Sequence, residues 1–195
     1  MTFSKSDENI DKIVEILKSG GVAVVPTDTV YGFSGIVDLT GNPAYKTDGK
    51  IRRIKGRDEN KPLIQLISKP EEVYLYSAVK IPENIIKYWP GPLTVIVPVK
   101  EDSPLADKCP TVAFRCPGDK WLRTVIEKCG APLYSTSVNR SGSPVLEAFD
   151  EIESEFGNEA DVVVDDGDKK GSLPSTLILL EENGFKILRQ GAVKI

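Results

Sequence analysis

The fold class that the sequence predicts is a mixed α/β sheet in a single domain, and three observations carry it. Short apolar runs that read as strands alternate with segments of helical spacing along the whole chain. Thr176 to Leu180 and Phe185 to Leu188 flank Glu181-Glu182-Asn183-Gly184 as a hairpin, which adds antiparallel pairing to a sheet that interleaved helices would otherwise make parallel. Finally, 195 residues with 40% hydrophobic content are enough to bury one sizeable core, so residues 1–195 read as one domain.

The elements follow in order. Ile10, Ile13, Val14, Ile16 and Leu17 have helical spacing, with Ser6 as the candidate N-cap and Gly20-Gly21 as the stop. Val22 to Val25 reads as a buried strand ended by Pro26, and Val30 to Ile36 as the strand that resumes after Pro26-Thr27-Asp28-Thr29. Pro43 starts a second helix that puts Ala44, Thr47, Ile51 and Ile54 on one face and Lys50, Arg52 and Arg53 on others. Lys61 to Ile67 is a strand. Pro70 opens a helix through Val73 and Leu75, and Pro82 another through Ile85, Ile86 and Trp89 that Pro90-Gly91-Pro92 breaks. Leu93 to Val99 and Thr111 to Cys116 are β-rich, Trp121 to Lys128 is a helix stopped by Gly130, and Pro132 to Asn139 is strand-like. Leu146 to Phe156 is helical up to Gly157, and Val162 to Val164 is a buried strand.

Composition removes several classes of chemistry. With no histidine, Ser-His-Asp and Cys-His triads and imidazole-ligated metals are excluded. The three cysteines, Cys109, Cys116 and Cys129, are odd in number and unpaired by any CxxC spacing, so reduced thiols near the core are expected. No apolar run approaches the roughly 20 residues of a membrane span, and Met1 to Glu8 has no apolar signal core, so a cytosolic protein without membrane contact is expected. A net charge of -4 means that any polyanion would have to be held by a local patch.

Such a patch exists. Lys50 to Leu63 holds six cationic side chains against two acids around Gly56, and reads either as an anion site or as a solvated helix end. Two further polar runs interrupt apolar strands, Pro26 to Gly32 and Tyr134 to Asn139. In the second, Ser135, Ser137 and Asn139 alternate and so share a face, either as a ligand surface or as a solvent face. Neither a GxxxxGK[ST] nor a GxGxxG loop is present, which leaves ordinary P-loop and Rossmann nucleotide sites unsupported. Asp165-Asp166, between a valine run and Gly167, reads as a strand end rather than a metal-ligand pair.

The chain resembles the YrdC-like threonylcarbamoyl-AMP synthases. The matching runs, in the family's order, are Val25-Pro26-Thr27-Asp28-Thr29-Val30-Tyr31-Gly32, Lys55-Gly56-Arg57, Lys61-Pro62-Leu63-Ile64, Trp89-Pro90-Gly91-Pro92-Leu93-Thr94, Val112-Ala113-Phe114-Arg115, Ser135-Thr136-Ser137-Val138-Asn139, Pro174-Ser175-Thr176 and Leu188-Arg189-Gln190-Gly191. The resemblance implies a twisted sheet with a concave, positively lined cavity and the short branch of the family, without a second domain. It implies the ATP-dependent joining of L-threonine and bicarbonate into L-threonylcarbamoyl-AMP, with Mg²⁺ arriving on ATP and a separate tRNA threonylcarbamoyl transferase using the product. It implies catalytic roles for Lys55, Arg57, Ser137 and Asn139. ATP contacts fall on Arg57, Lys61, Thr111, Ser137, Val145 and Arg189, and threonine contacts on Thr29, Arg115, Ser135 and Ser175. Asp58 stands where the family usually has proline, and Leu66 where some members carry a polar threonine contact. The competing expectation is a non-catalytic module that binds tRNA or double-stranded RNA through Lys50 to Lys61.

Overall fold

The structure, a computed structural model, describes residues 1–56, 62–106 and 109–195. The expectations for Arg57, Asp58 and Lys61 therefore lie outside the described residues. Its strands are β1 (Thr2–Ser4), β2 (Ala23–Val25), β3 (Gly32–Ile36), β4 (Ile64–Leu66), β5 (Leu93–Pro98), β6 (Thr111–Arg115), β7 (Leu133–Ser137), β8 (Val162–Asp165), β9 (Thr176–Glu181) and β10 (Gly184–Arg189). The α-helices are α1 (Ile10–Lys18), α2 (Thr47–Lys55), α3 (Glu83–Ile86), α4 (Lys120–Cys129) and α5 (Phe149–Phe156). The described strands form one sheet in the order β1-β8-β2-β3-β7-β4-β6-β5-β9-β10. Pairing is parallel at β1/β8, β2/β8, β4/β6 and β5/β9 and antiparallel elsewhere, which is the mixed sheet the hairpin signal predicted. No helix among the described residues is long and apolar enough to cross a membrane.

Both faces carry a core. Helices α1 and α4 bury Ile13, Leu17, Leu122 and Val125 against Ala23, Val25, Leu133, Val162 and Val164. On the opposite face α2 and α5 bury Ile51, Ile152 and Phe156 against Val24, Phe33 and Val163, with the Phe156 ring edge-on to Phe33 at 4.9 Å. A third cluster, around Phe114, Trp89, Val95 and Ile178, fills the half of the sheet nearer β10. At roughly 1.5–3 kcal/mol for each fully buried large aliphatic side chain, these clusters dominate the favourable side of folding.

Several boundaries differ from expectation for local reasons. Ser6 does not cap the first α-helix: residues Asp7–Asn9 form a 3-10 turn, the Ser6 hydroxyl instead accepts from the Asn9 side-chain Nδ2, and α1 begins at Ile10. Pro43 starts only a 3-10 turn (Pro43–Tyr45), so Ala44 is exposed, and Thr47, Ile51 and Ile54, with Lys55 at the end of the helix, are the buried residues of α2. Pro70–Leu75 is likewise 3-10, with Leu75 exposed. Helix α5 starts at Phe149 rather than Leu146 because the Leu146 amide is taken by the Val138 carbonyl. Its first amide is capped from a distance, Phe149 N–H donating to Asp168 Oδ1 at 3.0 Å. Of the cysteines, Cys116 and Cys129 are buried and Cys109 is exposed.

Candidate active site

The site lies where helical cover of one sheet face runs out. Side chains two residues apart on a strand share a face, so Leu133, which packs beneath α1 and α4, points the same way as Ser135 and Ser137. The same holds on β3 for Ile36, Ser34 and Gly32, and on β4 for Leu66 and Ile64. On β7 and β3 the side chains pass from large and apolar under the helices to small or polar beyond them, while β4 adds Ile64 as an apolar part of the lining. The space left is a cavity of about 250 Å³ lined by Thr27, Thr29, Gly32, Ile64, Arg115, Ser135, Ser137, Val145, Ser175 and Arg189, among others. A Cβ at Gly32 would stand 3.0 Å from the Ser135 hydroxyl, so a glycine there keeps that part of the floor open.

Arg115 is the anchor. It ends β6, is 5% exposed, and spreads its fork over three acceptors: Nε donates to the Gly91 carbonyl at 3.1 Å, Nη1 to Thr29 Oγ1 at 2.8 Å and Nη2 to Asp28 Oδ1 at 2.6 Å. Burial pulls its pKa below the usual guanidinium value while Asp28 pulls the other way, and an arginine in such a setting stays cationic. Arg189, at the end of β10, donates through Nε and Nη2 to the Ser175 carbonyl and through Nη2 to Ser175 Oγ. Its pKa is also lowered, first by burial and then by the like charge of Arg115. Ser175 Oγ in turn meets the buried Thr94 hydroxyl at 2.8 Å. Two guanidiniums thus converge on one cavity, and of these two only Arg115 has a carboxylate partner among the described residues.

Lys55 and Asn139 sit behind this wall rather than on it. Lys55 is 2% exposed at the end of α2, and its ammonium donates to the carbonyls of Ser137 and Asn139 and to Asn139 Oδ1. Asn139 Oδ1 also accepts from Ser137 Oγ at 2.8 Å, and its Nδ2 donates to the carbonyls of Arg140 and Ser143. Arg140 and the Ser141 amide close the last carbonyls of α2, from Ile54 and Lys55. The strand end carrying Ser137, the following loop and the helix end carrying Lys55 are therefore one hydrogen-bonded unit.

Of the residues expected in the site, Thr29, Arg115, Ser135, Ser137, Val145, Ser175 and Arg189 are brought to the cavity. Thr111 is not: it lines a second cavity with Arg52, Gln65, Cys109 and Tyr134, which meets the first at Pro62. Leu66 is buried with the α1/α4 core. Reading the sequence missed Asp28, the partner of Arg115, and Tyr31, whose hydroxyl donates to the Gly167 carbonyl and accepts from the Asp166 amide. Both stand in the run already singled out between Pro26 and Gly32. What identifies them is a partner 87 or 135 residues away, which local spacing does not reveal.

Comparison with known proteins gives a consistent picture. A family model covering Sua5, YciO and YrdC, described as telomere recombination, matches residues 15–191. A protein named putative threonylcarbamoyl-AMP synthase from Methanocaldococcus jannaschii is 32% identical over 199 residues, covering 99% of this chain and 92% of its own length. Among solved structures, Pyrococcus abyssi Sua5 complexed with L-threonine superposes with a TM-score of 0.82 at 28% identity, covering 98% of this chain but 56% of that one. Escherichia coli YciO superposes with a TM-score of 0.82 at 25% identity, covering 97% and 92%.

Proposed function

The chain belongs to the Sua5–YciO–YrdC family, and on that premise we propose that it is an L-threonylcarbamoyladenylate synthase that joins L-threonine, bicarbonate and ATP and releases pyrophosphate. The observation that carries the reading is the pair of guanidiniums on one cavity, Arg115 held by Asp28 and Arg189 held, among the described residues, by the neutral groups of Ser175. Such a site has one fixed cation for an amino acid carboxylate and a second for a phosphate. The L-threonine complex of the Pyrococcus abyssi relative supports the amino acid half, and the names of the relatives support the adenylate half.

The chemistry fits a chain without histidine. The threonine amine adds to the carbon of bicarbonate and water leaves, giving a carbamate. A carbamate oxygen then attacks the α-phosphorus, the bond from that phosphorus to the bridging oxygen breaks, and pyrophosphate departs with the electron pair. The nucleophile is already anionic, so the protein has chiefly to align the reactants and offset charge spreading onto phosphate oxygens. In our reading Arg115 holds the carboxylate, and Thr29, Ser135 and Ser175 surround the rest of the amino acid. Ser137, Val145 and Arg189 meet the nucleotide, with Arg57, Lys61 and Thr111 extending that contact. Lys55 and Asn139 are positioning residues that fix Ser137. Among the described residues no cluster of three or more carboxylate or thiol groups fits a metal ion. Mg²⁺ is accordingly proposed as part of the ATP substrate, and no step is routed through it. The product is an activated carbamoyl donor, and we propose a separate tRNA-modifying transferase as its consumer.

The test is pyrophosphate release from ATP by the purified protein. Release should require L-threonine and bicarbonate together; release that ignores either one contradicts the proposal.

A further inference from the structure

The Thr27 hydroxyl lies 2.8 Å from the Val30 carbonyl, accepts the Thr29 amide at 3.0 Å, and meets Thr29 Oγ1 at 2.9 Å. A carbonyl cannot donate, so the single Thr27 proton goes to Val30. The hydroxyl–hydroxyl contact must then be made by the Thr29 proton, directed onto Thr27. Thr29 Oγ1 also accepts from Arg115 Nη1 at 2.8 Å. Its proton and one lone pair are therefore used, and one lone pair remains. Both threonines are only 4% exposed and both line the cavity, so solvent does not readily reset this arrangement.

We propose that Thr27 is a positioning residue which, by taking the Thr29 proton, makes Thr29 an acceptor only, so that Thr29 recognises a hydrogen-bond donor of the amino acid and never its carboxylate. This rests on the amino acid site proposed above. Two substrate groups share the required chemistry, the α-amino N–H and the β-hydroxyl O–H. Accepting an amino N–H would turn the nitrogen lone pair away from Thr29 and toward the incoming carbon. A carboxylate oxygen at the same place would face a lone pair and is left to Arg115 and to Ser135, whose hydroxyl has no partner within the described structure.

The experiment measures L-threonine and ATP binding separately by calorimetry in Thr27→Ser, Thr27→Cys and Thr27→Val, with thermal melts. The serine variant should rescue, the cysteine variant should fall between, and the valine variant should weaken threonine about tenfold while ATP binding stays within about twofold. Repeating the series with L-valine identifies the donor: an undiminished Thr27→Val effect assigns the amino N–H, a vanished one the β-hydroxyl. Equal threonine affinity across a folded series overturns the proposal, as does a parallel loss of ATP binding. If Thr27→Val does not fold, the serine-to-cysteine step carries the same decision. Failure of the wild-type protein to bind threonine at all would instead refute the amino acid site itself.

Discussion

At the scale of single residues, the site is defined less by which side chains are present than by what their polar atoms have already committed. Arg115 uses three directions of its guanidinium on Gly91, Thr29 and Asp28, a geometry that an ammonium cannot reproduce. Arg115→Lys should therefore keep the charge and lose the positioning: threonine-dependent turnover is expected to fall on the order of a hundredfold, as commonly found when an aimed donor is removed, in a protein that still melts cooperatively. Steady-state pyrophosphate release at saturating ATP checks this, and a change below about threefold would remove Arg115 from the account. The sequence made Arg115 and Ser137 legible because their motif neighbours accompany them. It could not distinguish Ser137, on the wall, from Asn139 and Lys55, behind it, because that distinction depends on where a helix end and a strand end meet.

At the scale of elements, most strands and the starts of α3 and α4 were legible, and the starts of α1, α2 and α5 were not. A strand announces itself by a β-rich run between turn residues, so β2, β3, β5 and β6 fall close to their expected places. The N-terminus of a helix is set by whichever group satisfies its first amides, and for α5 that group is Asp168, 19 residues further along the chain. Strand β1 was not read at all, since Thr2 to Ser4 has no pattern of its own and is held by pairing with Val163 to Asp165. The α2/β3 contact gives a test of packing: a Cβ at Gly35 would come within 2.6 Å of Thr47 Cβ, whose hydroxyl donates to the Ile36 carbonyl. Gly35→Ala should destabilise the protein by about 1–3 kcal/mol, the usual cost of overpacking a close contact. Denaturant melts should show the midpoint lowered with the slope retained; an unchanged midpoint would mean that α2 rides more loosely on β3 than described.

At the scale of the whole molecule, charge pairs join distant parts of the chain next to Asp166, whose amide donates to the Tyr31 hydroxyl. Lys5 reaches both Asp119, which caps α4, and Asp166, which Lys169 also contacts. Burial alone would raise the Asp166 pKa, but hydrogen bonds from Lys169 and Lys5 outweigh it and hold the carboxyl below its ordinary value. Its folded pKa lies below its unfolded one, so its contribution to stability is complete above the ordinary carboxylate range, about pH 4. It is lost as the pH falls through the lower folded value. Asp166→Asn should accordingly lower the melting temperature at pH 7 and lose that deficit toward pH 3, a convergence that melts across the two pH values would reveal. A constant deficit would show that Asp166 acts through the shape and hydrogen bonds of its side chain and not through its charge.

The central claim, that the cavity under Arg115 and Arg189 joins a carbamate of threonine to AMP, is tested most directly by identifying the product. The protein would be incubated with ATP, L-threonine and ¹³C-bicarbonate, and the nucleotide fraction analysed by mass spectrometry. The account predicts an AMP adduct carrying one threonine and one labelled carbon, formed by the wild-type protein and sharply reduced in Arg115→Lys. A threonyl adenylate without the labelled carbon, or no adduct from a folded protein that binds both substrates, would contradict it.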